Sequence, residues 1–564
     1  MTSLVLAFVL LALPVRRDST SARPCAPADT GHAPVAWGPA LDDVFALLAA
    51  RHPDAFARVG RRQFSIELDE LRRDLPRLDD AGVTVRLMQL VASLQDGHTQ
   101  LEPAHDPAFA RWFPVRFYAF PSGLYVTAVD RPHRAIAGAR VLRIGAVSAE
   151  QALDRARSVM GADNAWGSRE NSFALSNATM LCALGVTDDP GVMTLDVDAG
   201  GRRQTVRLEA VHAADGSFDG RFRGEMFPPF REDSIDWVTA FDGRAPRAFR
   251  MRDSRLPLHL RYRLHYFFER VDGGLYAQIN FMANADSLSF AGFTDGLFAA
   301  FDRQPARKLI IDLRYNSGGN GDLAAGFAAA LAARARQPRW EQVYVLLGPK
   351  TFSAAIMLAH AIVAAVPEAV TVGEPSGAGW NSFGDPMEFA IAGTGLRLSV
   401  STLYHQLARF DDVRPYIPIN LPVVMTAADY FAGRDAALDL ILGSGDTRAI
   451  TTILRVAGPA AARRVYDARH ARYATLPWWE PVSERDVNQL GYDFLAQGDR
   501  DRAVGTFALN ADAFPASWNA WDSLGEALAA AGRGSEARAA YQRSVVLNPG
   551  NESAQRYLES HPPH

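Results

Sequence analysis

The chain has 564 residues, 48% of them hydrophobic and 22% charged, so it is long enough for several domains and too apolar to be a disordered protein. Its net charge is −4 and no basic run stands out, which argues against nucleic acid as a partner. Almost all basic residues are arginines. Lys308 and Lys350 are the only lysines, which restricts the groups that could act as a catalytic amine.

The N-terminal segment is typical of export. The apolar run Leu4 to Val15 is too short for a comfortable bilayer span and is followed by two arginines, as in a signal peptide. We therefore predict a signal peptide or an N-terminal anchor over residues 1–30, a periplasmic or secreted protein, and no firm membrane association beyond that segment. Two cysteines, Cys25 and Cys182, do not support a disulfide framework, and the apolar run around Cys182 indicates a core position.

Residues 38–110 are predicted to form a small helical module. Apolar residues recur at helical spacing in three segments between Leu41 and Leu94. The pattern ends at the turn Gln95-Asp-Gly-His-Thr99. A histidine at a helix end, such as His98, is by itself more typical of a cap or a surface group.

A β-rich middle module is predicted over residues 111–215. Its strands are predicted at Arg116–Ala119, Leu124–Val129, Ala139–Ile144, Val192–Val197 and Thr205–Leu208. The segment Gly138 to Gly145, with a helix beginning at Ser148, resembles the Gly-strand-helix element of PDZ-like modules, which bind peptide ends by strand addition. A plain β-rich domain is the alternative. Residues 216–260 predict a linker or surface excursion, because they are rich in Arg, Asp, Gly and Pro without a period.

An α/β core is predicted over residues 261–445, and Tyr276–Phe281 is its first clear strand. Further strands are predicted at Ala369–Val372 and Leu396–Leu403. A last helix is predicted at Ala427–Leu442.

Two strand-to-helix turns carry the chemistry of this core. The buried strand Leu309–Leu313 ends at Asn316-Ser-Gly-Gly319, and the strand Val343–Leu347 leads into Gly348-Pro-Lys-Thr-Phe-Ser353. A serine at such a turn holds its hydroxyl out of the core, and the N–H groups that open the next helix can receive an oxyanion. Glycines allow the main chain to approach the same atom. Taken alone, Ser353 is more typical of a helix N-cap.

Together, Asp312-Leu-Arg-Tyr-Asn-Ser-Gly-Gly319 and Thr351-Phe-Ser-Ala-Ala355 resemble the motifs of the tail-specific (C-terminal-processing) protease superfamily, in particular its tricorn-like serine protease branch. The resemblance covers roughly Trp112 to Leu442. It implies an α/β (α+β multidomain) protein with a crotonase-like ββα core. It also implies a serine endopeptidase without metal or other cofactor, acting on a peptide or protein substrate with Ser353 as nucleophile.

The resemblance also implies a base. Many members pair the serine with a later lysine, but no lysine follows Ser353, which excludes that layout. Tricorn-like members carry a catalytic histidine in an Asp-Gly-His-Thr-like motif, so His98 is predicted as the general base, with His405 as a weaker alternative. The main-chain N–H groups of Gly318, Gly319 and Ala354 are predicted to bind the oxyanion.

The acid that should orient the imidazole departs from the family pattern. Tricorn-like relatives use a Glu in a Glu-x-x-Gly-Val-x-Pro-like segment, and Val413-Arg-Pro415 would place Arg409 at that position. We predict Asp411 in its stead, with Asp412 and Glu374 as alternatives. The missing Glu keeps open a catalytically silent member that binds a peptide or an apolar ligand.

The C-terminal residues 483–560 repeat at an offset of 34 residues, after a predicted linker at 446–482. Leu490-Gly491 recurs as Leu524-Gly525, and Phe507 recurs as Tyr541. This is the period of tetratricopeptide repeats, whose paired helices interlock through small and large residues. The repeats predict a protein partner, and an interaction scaffold is a further alternative function.

Overall fold

The structure is a computed structural model of the chain. It describes residue 25 and residues 35–212, 235–239, 257–262, 264–336 and 338–562. The predicted signal segment, apart from Cys25, and most of the predicted excursion at 216–260 lie outside the described residues.

The predicted N-terminal helices are present: α1 (Trp37–Arg51), α2 (Arg61–Asp74) and α3 (Asp80–Ala92). They pack through the apolar face that the spacing indicates, with Leu41, Val44 and Leu87 fully buried. Helix α3 begins where the side chain of Asp79 accepts a hydrogen bond from the N–H of Gly82.

The middle module is built on an antiparallel sheet with short helices. From residue 100 to residue 239 the described elements are β1 (Gln100–Glu102), β2 (Arg111–Trp112), β3 (Val115–Phe120), β4 (Gly123–Asp130), β5 (Arg140–Ile144), β6 (Val147–Ser148), α4 (Ala149–Arg157), α5 (Ala178–Ala183), β7 (Val192–Ala199), β8 (Arg202–Glu209), β9 (Val211–His212) and β10 (Trp237–Thr239). The strand order of the sheet is β10-β4-β5-β7-β8, with β3 on β4 and β6 on β5, so all five predicted strands are confirmed; β2 pairs with β9 outside it. Helix α4 begins at Ser148 with a capping box.

A disulfide joins Cys25 to Cys182, with 5.5 Å between the Cα atoms. The expectation that no disulfide could be assigned is therefore wrong. Cys182 is fully buried in α5, as predicted, but it is half of a cross-link between positions 157 residues apart. Sequence spacing could not indicate this pair, because only the fold brings the two residues together.

The core is built on a six-stranded sheet. The elements of the core are β11 (Tyr266–Val271), β12 (Gly274–Ile279), α6 (Phe290–Arg303), β13 (Lys308–Asp312), α7 (Leu323–Ala335), β14 (Gln342–Leu347), α8 (Ala354–Ala365), β15 (Val370–Gly373), β16 (Asn381–Ile391), β17 (Leu396–Gln406), β18 (Leu421–Pro422), α9 (Ala427–Ala432) and α10 (Ala436–Leu442). The sheet order is β11-β12-β13-β14-β15-β18, parallel from β12 onward. Helices α6 to α8 cover one face and α10 the other, so β13 and β14 are buried on both faces.

A separate sheet joins the N-terminal part of the chain to the core. Strands β16 and β17 form a long hairpin, and β1 pairs with β17 so that Gln100 lies opposite Ser399. This pairing places the turn after α3 next to the hairpin. The carboxyl ends of β13 and β14 carry the two predicted turns.

The C-terminal part is helical. Its helices are α11 (Ile450–Ala457), α12 (Pro459–Tyr473), α13 (Glu484–Ala496), α14 (Arg500–Ala513), α15 (Trp518–Ala530), α16 (Gly534–Leu547) and α17 (Glu552–Ser560). The range predicted as a linker, 446–482, thus holds two helices. The single helix predicted at 427–442 is broken at Gly433, which has φ 67°. None of the described helices has both the length and the apolar character needed to cross a membrane.

Candidate active site

The two predicted turns are hydrogen-bonded to each other. The hydroxyl of Thr351 donates to the carbonyl of Leu313 at 2.9 Å and accepts from the N–H of Gly348 at 3.0 Å. The N–H of Phe352 donates to the carbonyl of Asn316 at 3.0 Å. These buried bonds fix the turn after β14 against the turn after β13.

Ser353 has a backbone that is unusual for its residue type. It adopts φ 55° and ψ −127° immediately before α8, a region that is sterically unfavourable for any residue with a Cβ. Its side chain does not cap the helix, and its hydroxyl makes no hydrogen bond within the described part of the chain. The N-cap interpretation is therefore excluded by the geometry. The hydroxyl is held out at the start of a helix, as in a strained nucleophile turn.

The glycine turn contacts Ser353 directly. A Cβ on Gly318, which has φ 116°, would lie 2.6 Å from the Cβ and 3.1 Å from the Oγ of Ser353. Gly319 has φ 124°, and a Cβ there would meet the carbonyl oxygen of Met282 at 2.3 Å. Both positions therefore require glycine.

The three predicted oxyanion donors differ in their hydrogen bonding. The N–H of Gly318 donates to the side-chain oxygen of Asn316 at 2.9 Å. The N–H groups of Gly319 and Ala354 have no acceptor among the described residues. The side-chain N–H₂ of Asn316 is buried and, within the described ranges, also has no acceptor. The turns at Ser353 thus carry several N–H groups that lack a hydrogen-bond acceptor.

His98 lies beside the nucleophile turn. Its ring stacks on the ring of Phe352, the residue before Ser353, with 4.3 Å between centroids. Both ring nitrogens are buried, and neither makes a hydrogen bond of good geometry to a described residue, Ser353 included, although the main chain of Phe383 is close enough to favour the charged ring. Burial lowers the pKa of His98 below 6.5, an effect that the carboxylate of Asp96 partly opposes.

Asp96 fixes the loop that carries His98. Its buried carboxylate accepts hydrogen bonds from the His52 ring at 3.0 Å, from the hydroxyls of Thr99 and Ser401 at 2.6 Å each, and from the His98 N–H at 2.9 Å. Burial would raise the pKa of Asp96, but these hydrogen bonds outweigh it and lower the pKa to about 2.

A second acid–imidazole pair flanks His98. The carboxylate of Asp385, a residue with φ 49°, lies 2.6 Å from the Nε2 of His405. Between them and His98 stands Gly384, where a Cβ would lie 2.9 Å from the His405 ring and 3.9 Å from the Cε1 of His98. Asp385 favours the charged form of His98, whereas His405 opposes it.

A buried acid lies on the other side of the loop. Asp163 accepts a hydrogen bond from the N–H of Gly97 at 3.0 Å. Burial, followed by repulsion from Asp96, raises the pKa of Asp163 to about 7.

The three acids predicted to orient His98 are paired with arginines. The exposed carboxylate of Asp411 binds Arg409 at 2.9 Å. Asp412 binds Arg414 at 2.5 Å and Glu374 binds Arg169 at 2.6 Å. In the part of the chain that the structure describes, no hydrogen bond or ion pair joins any of them to His98.

Sequence reasoning missed three groups around the imidazole. Asp96 belongs to the Asp-Gly-His-Thr turn and could have been found there. Asp163 and Asp385 carry no local signal, because their proximity to His98 depends on tertiary structure. Elsewhere among the described side chains, no group of three or more His, Cys, Asp or Glu is arranged to hold a metal ion.

Known proteins were compared with the chain at the levels of sequence and structure. No protein-family model and no curated protein matches the sequence. Among solved structures, mature CPAF complexed with lactacystin is 12% identical, with a TM-score of 0.50, over 70% of this chain and 95% of that one. The chain has the fold of mature CPAF. The predicted multidomain α/β fold is thereby confirmed.

Two other structures are similar at lower scores. A second structure of mature CPAF is 14% identical, with a TM-score of 0.48, over 70% of this chain and 94% of that one. The photosystem II D1 C-terminal processing protease is 11% identical, with a TM-score of 0.34, over 68% of this chain and 92% of that one.

Proposed function

We propose that the protein is a serine peptidase of the tail-specific, tricorn-like type, with Ser353 as nucleophile and His98 as general base. The observation that carries this proposal is the strained backbone of Ser353, whose unbonded hydroxyl lies against Gly318. Strain of this kind persists only where the surrounding structure imposes it, and it concentrates at functional sites. The fold shared with mature CPAF supports the same reading.

The reaction follows from the positions of these groups. Ser353 Oγ attacks the carbonyl carbon of the scissile peptide bond and gives its proton to His98. The oxyanion of the tetrahedral intermediate accepts hydrogen bonds from Gly319 and Ala354, and from Gly318 once Asn316 releases it. One such donor contributes ~3 kcal/mol to the transition state. His98 then protonates the leaving amine, and water hydrolyses the acyl-enzyme.

His98 must leave its stacked position to reach Ser353. The proposal therefore requires the imidazole to move when substrate binds, since catalytic hydrogen bonds are often long or poorly aligned without substrate. Its lowered pKa keeps the imidazole neutral at neutral pH, as a base must be. We expect the acid limb of kcat/KM to lie below pH 6.5.

The orienting acid is best assigned from the surroundings of His98. Asp411, the choice from the sequence, faces solvent beside Arg409, and Asp412 and Glu374 are also paired. Asp385 and Asp96 are the carboxylates that favour the imidazolium of His98. We infer that Asp96 takes this role through the loop that it holds, because its carboxylate has the larger effect and accepts from the His98 main-chain N–H. Asp385, which is paired with His405, adds a weaker effect.

Labelling with a fluorophosphonate tests the proposal. Intact mass spectrometry should show one adduct on the wild type and none on Ser353→Ala. His98→Gln should label far more slowly, whereas Asp411→Asn should label like the wild type. A wild type that resists labelling, or a Ser353→Ala variant that still labels, would refute the assignment. Lactacystin, the ligand in the CPAF structure, is a second probe.

We further infer that α13 to α16 are two tetratricopeptide repeats that bind a protein partner. A Cβ on Gly491 would lie 2.5 Å from the ring of Phe507, and a Cβ on Gly525 would lie 2.9 Å from the ring of Tyr541. The same interlock thus recurs after 34 residues, which supports the repeat assignment. Removing residues 483–562 should abolish partner capture without affecting the labelling of Ser353.

The middle module is proposed to be PDZ-like.

The protein is proposed to be exported. The Cys25–Cys182 disulfide supports an oxidising compartment. If a leader is cleaved, the cleavage must lie before Cys25 for this disulfide to persist. Peptide mapping of the protein from fractionated cells, without reductant, should find the cross-link outside the cytoplasm, and a fully reduced pair would contradict export.

A further inference from the structure

A cavity of about 480 Å³ opens beside the proposed nucleophile turn. Its walls include the segments that follow four neighbouring parallel strands, β12 to β15. Ser317, which lines the cavity, precedes Gly318, and Lys350, which also lines it, stands three residues before Ser353. Cavities of this size bind small organic molecules or large side chains. Ser353 itself does not line the cavity, but the two turns that carry Gly318 and Ser353 both contribute to its wall, so a substrate held at the nucleophile can extend into it.

Apolar side chains form much of the wall. They belong to residues from several parts of the core: Leu264, Phe281, Leu347, Val423 and Met425. Phe281 is 40% exposed at the edge of the sheet, although it is a large apolar residue. Such a surface gains free energy by covering an apolar group of a ligand.

Most charged groups of the wall form ion pairs, but Lys350 and Glu170 do not form one within the described residues. Glu374 binds Arg169 and Asp435 binds Arg314, each at 2.6 Å, and Asp429 binds Arg434. The ammonium of Lys350 makes no hydrogen bond and no ion pair with any described residue. A cation on an apolar wall without a direct partner is suited to receive a carboxylate.

Two further polar groups border the cavity. Glu170 accepts a hydrogen bond from the Tyr118 hydroxyl at 3.0 Å. Burial raises the pKa of Glu170, while Lys350 and Arg169 lower it, so Lys350 already partly offsets its charge. His259 is only 2% exposed, and its Nε2 finds no hydrogen-bond partner within the described ranges. A buried ring nitrogen without a partner, in a residue that lines the cavity, is a candidate to bind a polar part of a ligand.

We propose that this cavity is a substrate-binding site that takes one large apolar side chain together with a carboxylate received by Lys350. The proposal rests on the peptidase function and names its substrate class: peptides with a bulky apolar residue close to a negative charge. The carboxylate has two sources, a free C-terminus or an Asp or Glu side chain, which the experiment separates.

The test is calorimetric titration of the full chain carrying Ser353→Ala, so that binding is measured without turnover. Four matched peptides contain one Phe followed by Glu or Gln, each with a free or an amidated C-terminus. The carboxylate that Lys350 binds, whether the Glu side chain or the free C-terminus, should tighten peptide binding roughly 10- to 100-fold over Gln or the amidated C-terminus, respectively. Replacing Phe with Ala should weaken all four.

Lysine variants assign the effect to the cavity. Lys350→Met keeps the apolar stem and should erase the preference for the carboxylate, and Lys350→Glu should favour a peptide with Lys in place of Glu. Lys308→Met is the matched control, because it removes the chain's other lysine at the opposite end of β13 and should retain the preference.

The outcomes separate the two proposals. Equal binding of charged and neutral peptides, or a wild-type preference for basic peptides, would overturn the role of Lys350, and this comparison does not depend on the folding of any Lys350 variant. If the peptides bind as expected, but the wild-type protein neither cleaves them nor is labelled at Ser353, the peptidase function alone is overturned.

Discussion

Replacing Ser353 with glycine should make the protein more stable while abolishing its activity. Ser353 adopts φ 55° and ψ −127°, where a Cβ clashes with the neighbouring main chain and glycine does not. The hydroxyl makes no hydrogen bond in the described structure, so its loss should remove little stabilising energy. Ser353→Ala is the matched variant, because it also lacks the hydroxyl but keeps the Cβ.

The expected magnitude is the difference between two effects. A backbone in such a region raises the free energy of the folded state by about 1–3 kcal/mol. Glycine also increases the conformational entropy of the unfolded chain, which destabilises the folded state by about 0.4–1 kcal/mol. Ser353→Gly should therefore exceed Ser353→Ala in stability by up to about 2.6 kcal/mol, with about 1 kcal/mol near the middle of the range.

Denaturant unfolding of the three proteins measures this difference, with hydrogen exchange at the start of α8 as a local readout, since a multidomain chain need not unfold in one step. Ser289 provides the control. It begins α6 at φ −70°, and its hydroxyl accepts from the N–H of Gly292 at 3.0 Å, so glycine there should destabilise the protein. If Ser353→Gly is no more stable than Ser353→Ala, the strain argument fails.

Three further predictions follow from single contacts. Gly318→Ala should reduce kcat/KM at least 100-fold, by about one lost oxyanion interaction, because its Cβ would displace Ser353. The helical control Gly326→Ala, with open space around it, should keep activity, and equal effects would contradict the argument. Cys182→Ser should lower the free energy of unfolding by roughly 2–5 kcal/mol, as should reductant on the wild type. A reductant-insensitive melting temperature would refute the disulfide with Cys25. Asp163 has a folded pKa of about 7, above its ordinary 3.8, so the stability linked to its proton is present below pH 3.8 and lost as pH rises through 7. The free energy of unfolding of Asp163→Asn, relative to that of the wild type, should therefore rise between pH 5 and 8.5. A difference between the two proteins that does not change with pH would contradict this.

The sequence predicted those parts of the fold that depend on local patterns. Strands β13 and β14 are apolar runs because both faces of the sheet are covered. Strand β16 was missed, since Gly384 and Pro386 interrupt it and much of it is exposed. Helix α12, inside the predicted linker, begins with Pro459, which is compatible with either a turn or a helix start.

In the candidate site, too, the features set by local sequence could be predicted and those set by tertiary structure could not. The turns that carry Gly318 and Ser353 are local, and the structure brings them into contact. Asp411 was misleading because Arg409, two residues away, already neutralises it. Of the carboxylates that act on His98, Asp96 stands in the same turn and could have been predicted, whereas Asp385 could not, because only the register of the β16–β17 hairpin places it near the ring.

The N-terminal helical module belongs to the candidate active site rather than standing beside it. His98 and Ser353 are 255 positions apart, and what brings them together is the pairing of β1 with β17 and the carboxylate of Asp96, which accepts from His52 in the N-terminal module and from Ser401 in the hairpin. Breaking one partner of such a buried network leaves the others unsatisfied, so the His98 loop should loosen before the core unfolds. The proposed base therefore lies in one part of the chain and the proposed nucleophile in another, and the proposed function depends on the contact between these two parts.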